Sequence, residues 1–184
     1  MSVLRIGQLT GDTETGVWNR SEAWPLMLST AKELGCLPRL DERLSWLPVN
    51  IAARAVVEIS LGAVGRSDNT CTVYHLVNNE RSTSWKDLLT WINNLTPNGI
   101  SIVEPNIWLS KLESADHPAR SLLGLWKNSF GLDAQGQGKE QSNRKQVLLF
   151  DTKNAAKATP SIRIVGPVDE ALVGKIWSWL NESG

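Results

Sequence analysis

The chain opens on a run that belongs inside a sheet. In "SVLRIGQLTG" (Ser2 to Gly11), Val3, Leu4 and Ile6 make a short apolar stretch that halts at Gly7-Gln8-Leu9-Thr10-Gly11. That is the pattern of a buried strand delivering a loop to a site. Strands of parallel sheets are covered on both faces and flanked by neighbours. No strand precedes this one in the 184 residues, so what it pairs with is the first question about the fold.

Downstream, helical and extended patterns alternate. "GDTETGVWN" is a loop bounded by Gly11 and Gly16, where positive φ is cheap. Ser21 is placed to cap "EAWPLMLSTAKELG", in which Trp24, Met27, Leu28, Ala31 and Leu34 share a helical face and Gly35 ends it. Pro25 is compatible with the first turn. "LSWLPVN" is a proline-limited edge strand or extended connection. "IAARAVVEISLG" is a helix with Ile51, Ala55, Val56 and Ile59 inward and Gly62 at its end.

After the turn-rich linker "AVGRSDNT", "CTVYHLVNN" is expected as a strand buried on both faces. Ser82, Thr83 and Ser84 offer caps for "WKDLLTWINNL", with a stripe of Trp85, Leu88, Leu89 and Ile92. "SIVE" is a short strand, while "NIWLSKLES" and "SLLGLWKNSFG" are short helices. Gly131 to Gln146 is a flexible loop, and "VLLFDTKNAAKA" returns to order. "PVDEALVGKIWSWLNESG" is a final helix with Asp169 and Glu170 near its positive end. Strands alternating with helices, without an internal repeat, indicate an α/β protein.

Bulk properties narrow the partners. With 19 basic and 19 acidic residues there is no electrostatic footprint for nucleic acid or an anionic membrane. No apolar stretch approaches the ~18 residues of a membrane span, and the N-terminus lacks signal-peptide regions. The expected location is the cytoplasm. Cys36 and Cys71, at an expected helix end and strand start, are two reduced thiols rather than a framework. The sequons at Asn19, Asn94 and Asn181 carry no meaning without secretion. Nine tryptophans stand against one tyrosine and two phenylalanines. Some are expected in the core and some along a groove for a ligand or partner.

Motifs for familiar chemistry fail one by one. "GLDAQGQGKE" misses the phosphate-binding loop because Asp133 occupies the first required glycine and Glu140 follows the lysine. No dinucleotide fingerprint of glycines follows the first strand. His75 and His117 are far apart and outside any Cys/His/carboxylate cluster. His75 is expected as a hydrogen-bonded core residue and His117, in "SADHPAR", as a surface turn residue. There is no G-x-S-x-G elbow. Asp12 and Glu14 are close enough to pair, although two solvated loop acids is the favoured reading.

The segment "VLRIGQLTGDTETGVWNRSEAWPLML" resembles the piece that follows the catalytic tyrosine and lysine in thioester reductase domains. These are extended short-chain dehydrogenase/reductase relatives that terminate nonribosomal-peptide-synthetase-like enzymes and adenylate-forming carboxylic acid reductases. The likeness continues through "LPRLDERLSWLPVNIAARAVVEI", "VYHLVNNERSTSWKDLL" and "LLFDTKNAAKATPSIRIVGPVDEALVGKIWSWL". It covers essentially the whole chain apart from Gly131 to Gln146 and implies one domain over residues 1–184. It also implies a fold: an incomplete extended short-chain-dehydrogenase architecture, a helix-rich substrate subdomain with two or three strands of a Rossmann-type sheet.

In that family NADPH lies on a glycine-rich turn at a helix N-terminus, and a Tyr-x-x-x-Lys pair serves hydride transfer to a carrier-bound thioester. Neither feature is present: Tyr74 is the only tyrosine, and Asn78 stands four positions on. What the resemblance carries over is Gly7, Gln8, Leu9 and Thr10 as the loop beside the nicotinamide, and Val17, Trp18, Asn19 and Trp24 as substrate-cleft wall. Turn-making explains Gly7 and Gly11 equally well, and core packing explains Trp18 and Trp24 equally well.

The leading expectation is therefore the substrate-side part of a reductase that releases acyl or peptidyl chains as aldehydes. The opening strand then pairs with a parallel sheet encoded elsewhere, and the chain alone binds no NADPH. Implied partners are an N-terminal reductase half, an acyl carrier domain, an apolar acyl or peptidyl intermediate, or a second copy. Two alternatives are a cofactor-free isomerase or cyclase of secondary metabolism with an exposed tryptophan-rich apolar surface, and a non-catalytic carrier-docking module.

Overall fold

The computed structural model describes residues 1–63, 71–130 and 149–182. The chain begins β1 (Ser2–Ile6), β2 (Leu9–Thr10), α1 (Ala23–Leu34), β3 (Cys36–Pro38), β4 (Leu47–Pro48), α2 (Val49–Ala63) and β5 (Thr72–Leu76). It continues α3 (Trp85–Leu95), β6 (Ser101–Val103), α4 (Pro105–Ser114), a 3₁₀ turn (Pro118–Leu122), α5 (Leu123–Ser129), α6 (Lys153–Ala158), α7 (Pro160–Arg163) and α8 (Glu170–Glu182). The strands join as three parallel pairs, β1 with β5, β2 with β4 and β3 with β6. The class is α/β, with more strands than the sequence suggested. The expected loop at Gly131 to Gln146 and most of the linker Ala63 to Thr70 lie outside the described residues.

Contacts gather the chain into two units, the first made of Met1–Trp18, Glu42–Ser84 and Leu149–Trp179, the second falling within Asn19–Asp41, Trp85–Leu148 and Leu180–Gly184. In the first unit β1 and β5 run in register from Ser2 opposite Thr72 to Ile6 opposite Leu76. Because side chains alternate along a strand, Tyr74 and Leu76 point the same way. They meet Ala52, Ala55 and Ile59, which three- and four-residue spacing places on one face of α2, together with Leu47, Ala155 and Ile162. The expectation that β5 is buried on both faces is corrected. Thr72, Val73 and His75 are only partly covered, since this sheet has two strands.

His75 accordingly sits half-buried, its Nδ1 3.1 Å from the carbonyl of Asp151. That acceptor requires Nδ1 to carry the proton. Nε2 is buried without a hydrogen-bond partner. Glu58 of α2 accepts hydrogen bonds from the Thr159 hydroxyl and, at 2.7 Å, from that of Ser161. These bonds, Thr159 first, hold its carboxyl below the usual glutamate range and tie α2 to the start of α7. At the other end of the unit, Asp169 accepts from the Leu172 N–H at 2.8 Å, capping α8 as the sequence suggested.

In the second unit α1 buries Met27, Leu28 and Ala31, while Trp24 and Leu34 at the margins of the expected face are half-covered. The expected Ser21 cap is corrected: Glu22 occupies the cap position and makes no side-chain cap bond. Asn19 organises the entry instead, its side chain accepting from the Ser21 N–H and its carbonyl from that of Glu22, both at 3.1 Å. Cys36, expected at the helix end, lies in β3, fully buried, and Leu37 of β3 stands opposite Ile102 of β6.

Two fully buried indoles in this unit find acceptors. Trp85 Nε1 donates to the Pro38 carbonyl at 2.8 Å, and Trp108 Nε1 donates to the Thr30 hydroxyl at 3.0 Å. Thr30 passes its own proton to the Met27 carbonyl at 2.7 Å. The Trp108 ring also meets that of Trp126 edge-on at 5.0 Å. Six tryptophans, Trp18, Trp46, Trp85, Trp108, Trp126 and Trp177, are buried, and Trp24, Trp91 and Trp179 are half-buried. The expected exposed tryptophan surface is therefore corrected. The apolar groups that do face solvent in the first unit are aliphatic for the most part, such as Val57, Leu61 and Ile164.

Trp85 is fully buried on α3, so Trp85→Ala is expected to cost about 3–5 kcal/mol in chemical denaturation through the cavity it leaves. Trp85→Phe, which keeps most of the volume, is expected to cost about 1–3 kcal/mol by stranding the Pro38 carbonyl.

Candidate functional site

The resemblance directs attention to the stretch between β1 and α1. At the end of β1, the Gly7 N–H donates to the Leu76 carbonyl at 2.9 Å, carrying the ladder one step past the strand. A Cβ at Gly7 would lie 3.0 Å from Val77 Cγ1, so the glycine permits a close approach. Gln8 is exposed, and its carbonyl accepts from the Leu47 N–H at 2.8 Å. Leu9 and Thr10 then pair with Leu47 and Pro48. Thr10 is fully buried, and its hydroxyl has no partner.

The following loop is built on Asp12. Its Oδ1 accepts from the Glu14 N–H at 2.7 Å, the Thr15 N–H at 2.9 Å and the Thr15 hydroxyl at 3.2 Å. The backbone closes around it, Gly16 N–H on the Asp12 carbonyl at 2.8 Å and Asp12 N–H on the Val17 carbonyl at 3.0 Å. These bonds, led by that from the Thr15 backbone, together with the Lys175 charge, hold the Asp12 carboxyl below the usual aspartate range against a desolvation effect of opposite sign.

Asp12 is therefore a loop acid, as favoured from the sequence, with one carboxylate oxygen serving as the acceptor for its own turn. Both glycines are required sterically. Gly16 has φ +74°, and a Cβ there would come within 2.3 Å of the Lys175 backbone; at Gly11 it would come within 2.7 Å of the Gly16 carbonyl oxygen.

Two residues that the sequence did not single out lock the loop to helices. Asn50 at the start of α2 donates from Nδ2 to the Thr13 hydroxyl at 2.7 Å and accepts from the Thr13 N–H at 3.3 Å. Lys175 of α8 donates to the Thr13 carbonyl at 2.7 Å. A third, Asn78, is buried just beyond β5 and donates to the carbonyls of Trp46 and Gly166, each at 3.0 Å. Its Oδ1 accepts from the Glu80 N–H at 2.9 Å. A side chain with its amide so fully employed signals itself in sequence only as an Asn at a strand end.

The expected wall residues part company. Val17 is 44% exposed, whereas Trp18 is buried with its ring 5.1 Å from that of Trp46 and its carbonyl accepting from Trp179 Nε1 at 3.3 Å. Both lie in the first unit with Gly7, Gln8, Leu9 and Thr10. Asn19 and Trp24 belong to the second unit, Asn19 in the helix entry and Trp24 half-buried 5.2 Å from the Trp85 ring.

The residues do not fit a dinucleotide by themselves. β1 runs through Gly7 into another strand rather than a helix, and the strands that lead straight into helices, β4 into α2 and β6 into α4, do so through Pro48-Val49 and Val103-Glu104-Pro105 without a glycine turn. Tyr74 is buried in the core against α2. Among the described residues no group of three or more His, Cys, Asp or Glu side chains is arranged to hold a metal. Nor, among them, is any helix long and apolar enough to cross a membrane.

No protein-family model matches the sequence. Over 98% of its length the chain is 30% identical to a stretch of clavatol synthase of Penicillium crustosum, 7% of that protein. It is likewise 30% identical over 98% of its length to a stretch of an adenylate-forming reductase of Stachybotrys bisbyi, 16% of that protein. Among solved structures, the terminal R domain of the myxalamid PKS-NRPS pathway superposes with a TM-score of 0.67 at 23% identity, over 98% of this chain and 43% of that one. The reductase domain of a nonribosomal peptide synthetase of Mycobacterium tuberculosis gives 0.65 at 15% identity, over 97% and 46%. The chain spans under a fifth of these curated relatives and under half of each solved domain.

Loop rigidity is testable directly. Gly16→Ala is expected to destabilise the fold by about 2 kcal/mol or more in urea titration. Asp12→Ala is expected to cost about 1–2 kcal/mol at neutral pH, as loss of a cap does. Since the folded carboxyl titrates below its unfolded value, its stabilisation is complete above the unfolded value and lost as pH falls through the folded one. The urea midpoints of the wild type and Asp12→Asn therefore converge below about pH 4.

Proposed function

This chain is homologous to part of the terminal reductase domains of nonribosomal peptide and polyketide synthases and of adenylate-forming reductases, and from that premise we propose that it is the substrate-side part of an NADPH-dependent thioester reductase. In this reading it helps to release carrier-bound acyl or peptidyl chains as aldehydes, and hydride chemistry is supplied by a nucleotide-binding portion outside these 184 residues. The observation that carries it is the opening strand: among the described residues β1 has a ladder on one side only, from β5, and ends with Ile6 46% exposed. A buried-type sequence with an open edge calls for another strand. The sequence offers no Tyr-x-x-x-Lys pair.

In this reading the eight expected site residues divide by task. Gly7, the exposed Gln8 and the exposed Val17 are assigned to contact with a cofactor or substrate. Leu9, Thr10 and Trp18 shape the loop from within, and Asn19 and Trp24 serve the second unit's wall. Partners in this reading are the complementing reductase portion and an acyl carrier domain presenting the thioester.

The test pairs the purified chain with the nucleotide-binding portion of a homologous terminal reductase domain expressed separately. The chain alone is expected to give no saturable NADPH fluorescence change in the micromolar range and no NADPH oxidation with an acyl thioester. With the complement, a stable complex by solution mass and NADPH-dependent aldehyde formation are expected. Micromolar NADPH binding by the chain alone overturns the proposal, as does a chain that pairs only with a second copy of itself.

A further inference from the structure

The second unit contains a cleft of about 520 Å³, within the ~300–1,000 Å³ typical of small-molecule sites, and every residue lining it belongs to that unit. It lies between the first turns of α1 and the 3₁₀ turn after α4. Its apolar lining comes from Pro25, Leu26, Pro118 and Leu180. Among the described residues one charged side chain, Arg20, reaches it, and no acidic residue lines it.

The polar lining can be accounted for bond by bond. His117, expected as a surface turn residue, is instead half-buried and caps the 3₁₀ turn, its Nδ1 accepting from the Ala119 N–H at 3.1 Å. Nε2 therefore carries the proton in the neutral ring and faces Ser29 Oγ at 3.3 Å. Ser29 gives its own proton to the Leu26 carbonyl at 2.9 Å, so this Ser/His contact runs opposite to that of a nucleophile and its base. Ser121 likewise donates to the Pro118 carbonyl at 2.8 Å. With these three engaged, the donors that can turn to a ligand are the Ser21 hydroxyl and the guanidinium of Arg20, whose five N–H groups can serve a protein partner and a ligand together.

We propose that this cleft binds an organic anion with an apolar tail, its charged head on Arg20 and Ser21 and its tail over Pro25, Leu26, Pro118 and Leu180. Binding there needs neither NADPH nor a complementing chain. A carboxylate and a phosphate ester meet the same requirement, and the probes distinguish them.

Calorimetric titration of the purified chain with octanoate, octyl phosphate, 1-octanol and inorganic phosphate, all below any micelle concentration, tests it. One or both octyl anions are expected to saturate a single site, with octanol and inorganic phosphate at least about tenfold weaker. The tighter of the two anions identifies the head group. Arg20→Gln is expected to weaken binding about tenfold while the chain stays folded by circular dichroism, with partial recovery in Arg20→Lys. Ser121 is exposed, so Ser121→Phe fills the cleft and removes binding without unfolding the chain. Amide resonances of Ser29 and His117 are expected to shift on binding. Absence of saturation by either anion overturns the proposal. So does octanol binding as tightly as the anions, or affinity indifferent to both Arg20→Gln and Ser121→Phe.

Discussion

Parallel pairing is the constraint from which the first unit is built. A parallel ladder satisfies one edge of each strand and requires that the connecting chain travel back along the sheet before the partner can form. The β1–β5 register fixes where both strands end, and their ends carry Gly7 and Asn78. From Gly7 the chain is thrown into the Asp12 loop. From Asn78 one amide reaches the backbone at Trp46 and at Gly166, drawing together segments that approach the sheet from both directions along the chain. A shift of one residue in that register would put Tyr74 and Leu76 on the wrong face of β5 and move both hubs.

The loop after β1 is held from within and from α8: Asp12 Oδ1 organises the turn, and the Lys175 ammonium donates to the Thr13 carbonyl. Gly16 is there because the backbone of α8 passes too close for a side chain, and Gly11 because the Gly16 carbonyl does.

Much of this was legible because helices carry a repeating signal. α1, α3 and α8 announce themselves through three- and four-residue spacing of Met27, Leu28 and Ala31, of Trp85, Leu88 and Leu89, and of Leu172, Val173 and Ile176. β2 and β3 are two and three residues long, too short for alternation to register, and β3 follows directly on a helix-ending glycine, whereas β4 falls within the segment LSWLPVN expected as an edge strand or extended connection. The candidate loop was legible as glycine-bounded, but its clamps were not: Asn50 and Lys175 are far from Thr13 in sequence and unremarkable in type. Tryptophan number was visible, while its division between core and surface depends on indole acceptors such as Pro38 and Thr30 that only folding supplies.

The three strand pairs share a property with a kinetic consequence. None joins strands adjacent in the chain; β2 must wait for α1 and β3 to be made before β4 exists, and β1 must wait for α2 before β5 does. Helices close locally and fast, whereas such distant closures come late. A nascent chain would therefore carry Val3, Leu4 and Ile6 unmatched at least until Leu76 has been made, an adhesive segment awaiting its partner. Yield on expression should then follow how soon that segment is covered, making chaperone supply, more than final stability, the limit on how much native protein accumulates.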